Sequence, residues 1–240
     1  MHEIVEYYKS LSDVKDEFKK FVRNPRDAKV VNVSLGYNII GTFGVNMDDT
    51  SPHALGDPDI LLLRKVADLS AQAVVNIYKE ANEIDVAIFS AAGNDSRTLI
   101  PPMGGKYASP FNRAAIMARK DGVSNGIIIE AHNSSGDRAR FSNSGELSCP
   151  GVDIFSSVPM DQSGNASVTH IATTSGTSMA TPYCAAGYAL IASLKPKLKP
   201  VEIIDCLKKS QSTSNSGTPR MKLNVSFPKC RKKGLFSVFR

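Results

Sequence analysis

The sequence predicts an α/β domain of three layers, with helices on both faces of a mostly parallel sheet. Short apolar runs at residues 30–36, 85–94, 126–131 and 152–157 are typical of buried strands in a parallel sheet. Longer segments with apolar residues at helical spacing alternate with these runs. Because a helix buries its apolar stripe by packing on a sheet face, the alternation indicates helix, sheet and helix layers.

Composition and charge indicate one globular domain. The chain has 240 residues, of which 42% are hydrophobic, enough for a sizeable core. Its net charge of +6 is concentrated near Lys195–Lys199 and Lys229–Lys233, so the basicity is local and predicts no nucleic-acid partner. No run of 18 apolar residues predicts a membrane span, and the start, Met1-His2-Glu3-Ile4, lacks the plan of a signal peptide.

The four cysteines are Cys149, Cys184, Cys206 and Cys230. None has CxxC spacing, and Cys184 falls in a segment predicted to be a buried helix, so we interpret all four as free thiols rather than a metal site or a disulfide framework. Free thiols favour a reducing compartment such as the cytoplasm, and the sequence leaves localisation otherwise unknown.

The helical segments follow in chain order. Residues 3–22 carry apolar residues among charges and predict an amphipathic helix, and residues 41–58 read as a loop. A long helical pattern covers 60–81, residues 97–112 are rich in Pro and Gly, and 199–207 begins a short helix with Pro200 near its start.

The stretch Ser175-Gly176-Thr177-Ser178-Met179-Ala180-Thr181-Pro182 leads into an apolar segment that ends at Leu194. Gly176 is expected to permit a sharp entry into a helix, with Thr177 or Ser178 as its N-cap and Pro182 near the first turn. A helix that is apolar all round is buried, and its N-terminus favours negative charge, including an oxyanion. Ser178 would then be either a nucleophile at a cleft or an ordinary capping serine.

This octet resembles the serine motif of the subtilisin-like serine proteases. The next residue, Tyr183, differs from the family, which has histidine after the proline. Val30-Val31-Asn32-Val33-Ser34-Leu35-Gly36 and Ala91-Ala92-Gly93-Asn94 are similar to two further segments of that family. Segments between Ser134 and Val152 and the stretch Leu223-Asn224-Val225 extend the likeness to residues 30–225. The resemblance implies a subtilisin-like fold that lacks its N-terminal strands, over residues 1–226, followed by a basic and aromatic tail over 227–240.

The resemblance also implies roles for individual residues. Ser178 would be the nucleophile and Asn94 the side-chain donor to the oxyanion. The backbone of Ser34, Leu35 and Gly36 would pair with an extended peptide substrate, and residues 97–112 would form one wall of a substrate pocket. Taken alone, the first segment could be a plain core strand, and Gly93-Asn94 could be a plain turn.

A general base is not identifiable. The aspartate and His-Gly-Thr-His motifs of the family, which precede its Ser-Leu-Gly strand, do not occur here. The histidines are expected to lie in loops or at the surface, and we assign none of them as the base; they are His2, His53, His132 and His170. The absent strands would leave a strand edge open to another chain.

Three hypotheses therefore remain. In the first, the chain is part of a serine endopeptidase whose Asp and His are supplied by a second chain or have been lost by truncation. In the second, it is a pseudoprotease that binds extended peptides or a partner protein. In the third, it is a scaffold that associates through its open sheet edge. No cofactor is assigned. Calcium is common in the family, and the candidate oxygen ligands here are Asp48, Asp49, Asp57 and Asp59. Clustered carboxylates in a loop are, however, usually only solvated. For the tail, a solvated segment is favoured over membrane contact.

Overall fold

The computed structural model of the protein describes residues 16, 17, 20, 28–36, 45–96, 104–159, 169–209, 212–224, 228 and 230. Its main sheet has four parallel strands in the order β1-β2-β3-β4. These strands are β1 Val30–Val33, β2 Ala87–Ala91, β3 Gly126–His132 and β4 Leu147–Pro150. A separate antiparallel hairpin pairs β5 Ile154–Pro159 with β6 Thr169–Thr174.

Five helices are described: α1 Pro52–Gly56, α2 Pro58–Glu83, α3 Pro110–Lys120, α4 Thr177–Leu194 and α5 Pro200–Lys208. Neighbouring residues of one strand point to opposite faces of the sheet. On β2, Phe89 therefore packs in one core with α4 and α5, whereas Ile88 packs in a second core with α2 and α3. The predicted α/β architecture with helices on both faces of a parallel sheet is confirmed.

Several elements differ from the prediction. The run at 152–157 is not a fourth strand of the main sheet: it belongs to the hairpin, where Phe155 is 72% exposed. The fourth strand is β4, whose polar residues gave no strand signal. Helix α3 was not predicted, because its pattern follows directly on a Pro- and Gly-rich stretch, and α1 lies within the segment interpreted as a loop.

The prediction of four free thiols is wrong. Cys149 on β4 and Cys184 on α4 form a disulfide across a Cα–Cα distance of 5.9 Å. Cys206 and Cys230 are buried thiols, and burial together with the neighbouring Cys206 raises the pKa of Cys230 to about 12. The disulfide ties the serine-bearing helix to the sheet.

Some predictions lie outside the described residues. Of the helix predicted for 3–22, only residues 16, 17 and 20 are described, and they are helical. The tail beyond Cys230 and residues 97–103 of the Pro- and Gly-rich stretch 97–112 also lie outside. In the described part of the chain, no helix is long and apolar enough to cross a membrane.

Candidate active site

The carboxyl ends of β1 and β2 and the start of α4 meet at one edge of the sheet. Such an edge is the usual ligand site of open α/β sheets. A cavity of about 390 Å³ lies there, and it brings together all five residues predicted for the site. These residues are Ser34, Leu35, Gly36, Asn94 and Ser178.

Ser178 is half-buried in the first turn of α4. Its hydroxyl makes a long contact, 3.5 Å, to the carbonyl oxygen of Ser34. In return, the Ser34 hydroxyl donates a hydrogen bond of 2.9 Å to the carbonyl oxygen of Ser178. This second bond has a clear cause: Pro182, four residues on, has no N–H to donate to that carbonyl.

The start of α4 differs in three ways from what the sequence predicts. The N-cap is Gly176, with no side-chain cap of its own, rather than Thr177 or Ser178. Gly176 has a φ of 166°, an extended backbone that any residue can adopt, so no special freedom is required there. Pro182 is the sixth residue of the helix and therefore lies beyond its first turn.

Asn94 supplies the missing cap from the end of β2. Its Oδ1 accepts hydrogen bonds from the backbone N–H of Thr177 at 2.9 Å and from the Thr177 hydroxyl at 3.1 Å. The Thr177 hydroxyl oxygen in turn accepts from the backbone N–H of Gly93 at 3.1 Å. These bonds fix the plane of the Asn94 amide, so that Nδ2 faces away from Thr177.

Asn143 holds the loop that carries Asn94. This fully buried side chain donates from Nδ2 to the carbonyl of Ala92 and to Oδ2 of Asp95 at 3.0 and 3.1 Å. Its Oδ1 accepts from the backbone N–H of Asp95 and from the Ser96 hydroxyl. Gly93 has a φ of +96°, and a Cβ there would lie 2.6 Å from Asn143 Nδ2, so this position requires glycine. Asn143 was not predicted as a site residue, and its only signal in the sequence is its place in a segment that resembles the family.

No general base reaches Ser178 from the described histidines. His132 is buried on β3, contrary to the expectation of a loop or surface residue, and its Nδ1 lies 2.9 Å from the Ser148 hydroxyl. Burial, followed by the nearby Arg220 guanidinium, lowers the pKa of His132 to about 4. His53 is exposed on α1, and His170 lies on β6. None of these three lines the cavity of Ser178.

Three of the four aspartates considered for calcium have other contacts in the structure. Asp57 caps α2 by accepting from the N–H groups of Asp59 and Ile60, and Asp49 accepts from the N–H of Ser51. Asp48 is buried with the Lys106 ammonium 3.3 Å from its Oδ1, and burial, opposed by Lys106, raises its pKa to about 6. Among the residues that the structure describes, no three His, Cys, Asp or Glu side chains are placed to hold a metal ion.

Comparison with known proteins identifies relatives. The family model described as "Subtilase family" matches residues 6–225. The cell wall-associated protease of Bacillus subtilis (strain 168) is 37% identical over 130 residues, which are 52% of this chain and 12% of that protein. The chain therefore spans only a small part of that relative.

Solved structures share the fold. A protease from Pseudoalteromonas arctica aligns with a TM-score of 0.60 at 21% identity, over 87% of this chain and 53% of the other. A cold-adapted subtilisin-like serine proteinase aligns with a TM-score of 0.55 at 23% identity, over 89% and 60%. This chain thus spans between half and two thirds of these structures.

Proposed function

The chain belongs to the subtilase family, and from this premise we propose that it forms the serine-bearing part of a peptide-bond hydrolase. The observation that carries the proposal is the single cavity that joins Ser178, Asn94 and the end of β1. In the proposed reaction, the Ser178 hydroxyl gives its proton to a histidine base and attacks the peptide carbonyl carbon. The protonated base passes this proton to the leaving amine, which leaves an acyl-enzyme, and water then hydrolyses that ester and restores the Ser178 hydroxyl.

The oxyanion of this reaction would be held by Asn94 and the backbone N–H of Ser178. Both acceptor positions of Asn94 Oδ1 are engaged by Thr177, which leaves Nδ2 as the group that donates. Nδ2 lies 3.6 Å from the point that a Cβ on Gly176 would occupy, so it stands beside the helix start. The first N–H groups of a helix add positive potential at the same place.

The substrate would bind in an extended conformation along residues 34–36. β1 is an edge strand of the described sheet, and Leu35 is 50% exposed directly after it. Backbone pairing at such an edge is indifferent to side chains, which suits peptide or protein substrates of varied sequence.

The base would come from a complementing segment that supplies an aspartate and a histidine. Among the described residues, the hydrogen-bond contact of the Ser178 hydroxyl is to the Ser34 carbonyl oxygen, which cannot take its proton. On α4, an exposed apolar stripe begins five residues after Ser178: Tyr183, Leu190 and Leu194 are 53%, 48% and 59% exposed. This stripe and the edge of β1 would receive the complementing segment. The chain spans only 53% and 60% of two solved structures that share its fold.

A second candidate function is binding without cleavage. It is favoured by the same contact between Ser178 and the Ser34 carbonyl, because a hydroxyl without a base can still line a peptide groove. In this case the protein would hold an extended peptide, or a partner protein, along residues 34–36.

Peptide hydrolysis with and without complementation tests the proposal. The purified protein is assayed on a quenched fluorescent peptide, alone and mixed with the Asp- and His-bearing part of a subtilase catalytic domain, with Ser178→Ala as the matched control. We expect cleavage in the mixture and none with the variant. Complex formation in which the peptide is bound but never cut would contradict the hydrolase and support the binding protein.

A further inference from the structure

The two basic stretches of the sequence, residues 195–209 and 229–240, are joined at one surface of the protein. We propose that this basic surface docks on an anionic lipid bilayer. The proposal goes beyond the proposed function and uses none of the residues that line the cavity of Ser178.

Cys230 fixes the place where the second stretch begins. It is fully buried and packs in the same core as α4 and α5. The Lys195 ammonium, directly after the end of α4, donates a hydrogen bond of 2.8 Å to the carbonyl oxygen of Cys230. Burial and the neighbouring Cys206 raise the pKa of Cys230, and the charges of Lys195 and Lys209 oppose this rise. The basic residues on either side of Cys230 in the chain are therefore attached beside these two lysines.

The basic surface carries more positive charge than the whole chain. Residues 195–209 contain five lysines and two carboxylates, and residues 229–240 contain five basic residues and no carboxylate, which gives a net charge of +8. The whole chain has a net charge of +6, so the remaining residues together are acidic. Lys199 pairs with Asp85 at 2.8 Å, whereas Lys197 and Lys209 are exposed. Such a one-sided field attracts anionic headgroups and orients the protein toward them.

The composition of residues 234–239 favours a bilayer over a soluble polyanion. They follow directly on Arg231-Lys232-Lys233 and contain four apolar or aromatic residues, namely Leu235, Phe236, Val238 and Phe239. Basic residues bind headgroups electrostatically, while apolar and aromatic side chains enter the boundary between headgroups and acyl chains. The sequence alone favours a solvated tail, because the charge of the tail is then counted by itself. The structure adds the charge of residues 195–209 beside its first residues.

Docking at this surface leaves the cavity of Ser178 accessible. Helix α4 has 18 residues, with Ser178 in its first turn and Lys195 directly after its last residue. At a rise of about 1.5 Å per residue, these two ends of the helix lie about 25 Å apart. The cavity therefore stands away from the headgroups, where peptides and a complementing segment can reach it.

Co-sedimentation with lipid vesicles tests the proposal. The purified protein is mixed with vesicles of phosphatidylcholine alone, or of phosphatidylcholine and phosphatidylserine, and the bound fraction is measured after centrifugation. We expect binding only to the anionic vesicles, and weaker binding at high salt because salt screens surface charge. A soluble DNA duplex is titrated into the same mixtures as a competing polyanion.

Matched double variants separate the basic surface from the overall charge. Lys197→Gln with Lys209→Gln removes two charges from the surface and should weaken vesicle binding about twentyfold, at about fivefold per charge. Lys65→Gln with Lys120→Gln removes the same charge from exposed positions on α2 and α3, and it should leave vesicle binding nearly unchanged.

A third double variant tests the apolar part of the tail. Phe236→Ser with Phe239→Ser keeps every charge, and it should weaken vesicle binding by at least about tenfold because two aromatic side chains no longer leave water. Its affinity for the DNA duplex should equal that of the unaltered protein.

Three results would overturn the proposal. The first is equal binding to neutral and anionic vesicles, or binding to neither. The second is an equal loss of binding in the two lysine variants, which would show that only overall charge matters. The third is full vesicle binding by the phenylalanine variant together with displacement by the DNA duplex, which would show a general polyanion site. None of these results changes peptide hydrolysis by the complemented enzyme, so the proposed function is tested separately.

Discussion

The Ser34 hydroxyl donates a hydrogen bond of 2.9 Å to the carbonyl oxygen of Ser178, the carbonyl that Pro182 leaves without a helical partner. The end of strand β1 is thereby tied to the first turn of helix α4. Two segments that lie 144 residues apart in sequence are held together at the cavity by this bond.

This relationship predicts a coupling between Ser34 and Pro182. Ser34→Ala leaves a part-buried carbonyl unsatisfied and should lower the free energy of unfolding by about 1–3 kcal/mol. Pro182→Ala restores an N–H four residues after Ser178, so Ser34→Ala should cost less in that background. Chemical denaturation of the single and double variants measures the difference. An equal cost in both backgrounds would show that the bond does not compensate for the proline.

Asn94 should have two separable roles, one for each end of its amide. Asn94→Ala removes the cap of α4 and should cost about 0.5–2 kcal/mol of stability. Asn94→Asp keeps an oxygen for Thr177 and should retain most of that stability, while it loses the Nδ2 donor. In the complemented enzyme, both variants should reduce turnover by about 10²–10³, the loss known for the corresponding donor of subtilisin. Full turnover in Asn94→Asp would show that Nδ2 does not hold the oxyanion.

The disulfide between Cys149 and Cys184 should stabilise the fold measurably. It closes a loop over a sequence separation of 35 residues, for which chain entropy predicts about 2–4 kcal/mol. Denaturant unfolding with and without a reductant measures this contribution. The double variant Cys149→Ala, Cys184→Ala should be insensitive to the reductant. Equal stability of the unaltered protein in both conditions would contradict the bond.

Acidic pH should destabilise the protein through His132. Its folded pKa is about 4 against an ordinary value of 6.5, so between these values the unfolded state binds more protons. Stability should therefore fall as the pH drops from about 6.5 to about 4, by at most about 1.4 kcal/mol per pH unit.

Protonation of Asp48 has the opposite effect on the stability of the folded state. Its pKa is raised from 3.8 to about 6, so in that window the folded state binds the extra proton and gains stability as the pH falls. His132→Gln should reduce the loss of stability as the pH falls, and Asp48→Asn should increase it. The matched control His53→Gln, at an exposed site, should leave the profile unchanged. Thermal unfolding between pH 4 and 7 measures these effects. If Tm changed with pH in the same way in all variants, neither His132 nor Asp48 would contribute to the pH dependence.

The sequence predicted the fold where the signal is local, and the five residues that it proposed for the site lie around one cavity. Strands β1, β2 and β3 are continuous apolar runs, and Ser178 and Asn94 stand in short motifs at the ends of regular elements. The parts that it missed depend on contacts between distant segments. The cap from Asn94 to Thr177 joins residues 83 apart, and Asn143 acts on a loop about 48 residues away.

The cysteines and the last strand show the same limit. The spacing of cysteines in the sequence does not reveal that Cys149 and Cys184 face each other. They meet only because α4 packs on the sheet. Residues 152–157 have the composition of a strand, but composition does not say which strand will be the partner. The pairing of β5 with β6 places this run in a hairpin outside the main sheet.

The central claim is that Ser178 and Asn94 form one reactive site once a base is supplied. Its most direct test is the rate at which a fluorophosphonate probe modifies the protein, followed by intact mass, alone and with the complementing Asp- and His-bearing segment. We expect fast modification only in the mixture, none in Ser178→Ala, and a much slower reaction in Asn94→Ala. Modification at an equal rate in Ser178→Ala, or no modification of the complex, would contradict it.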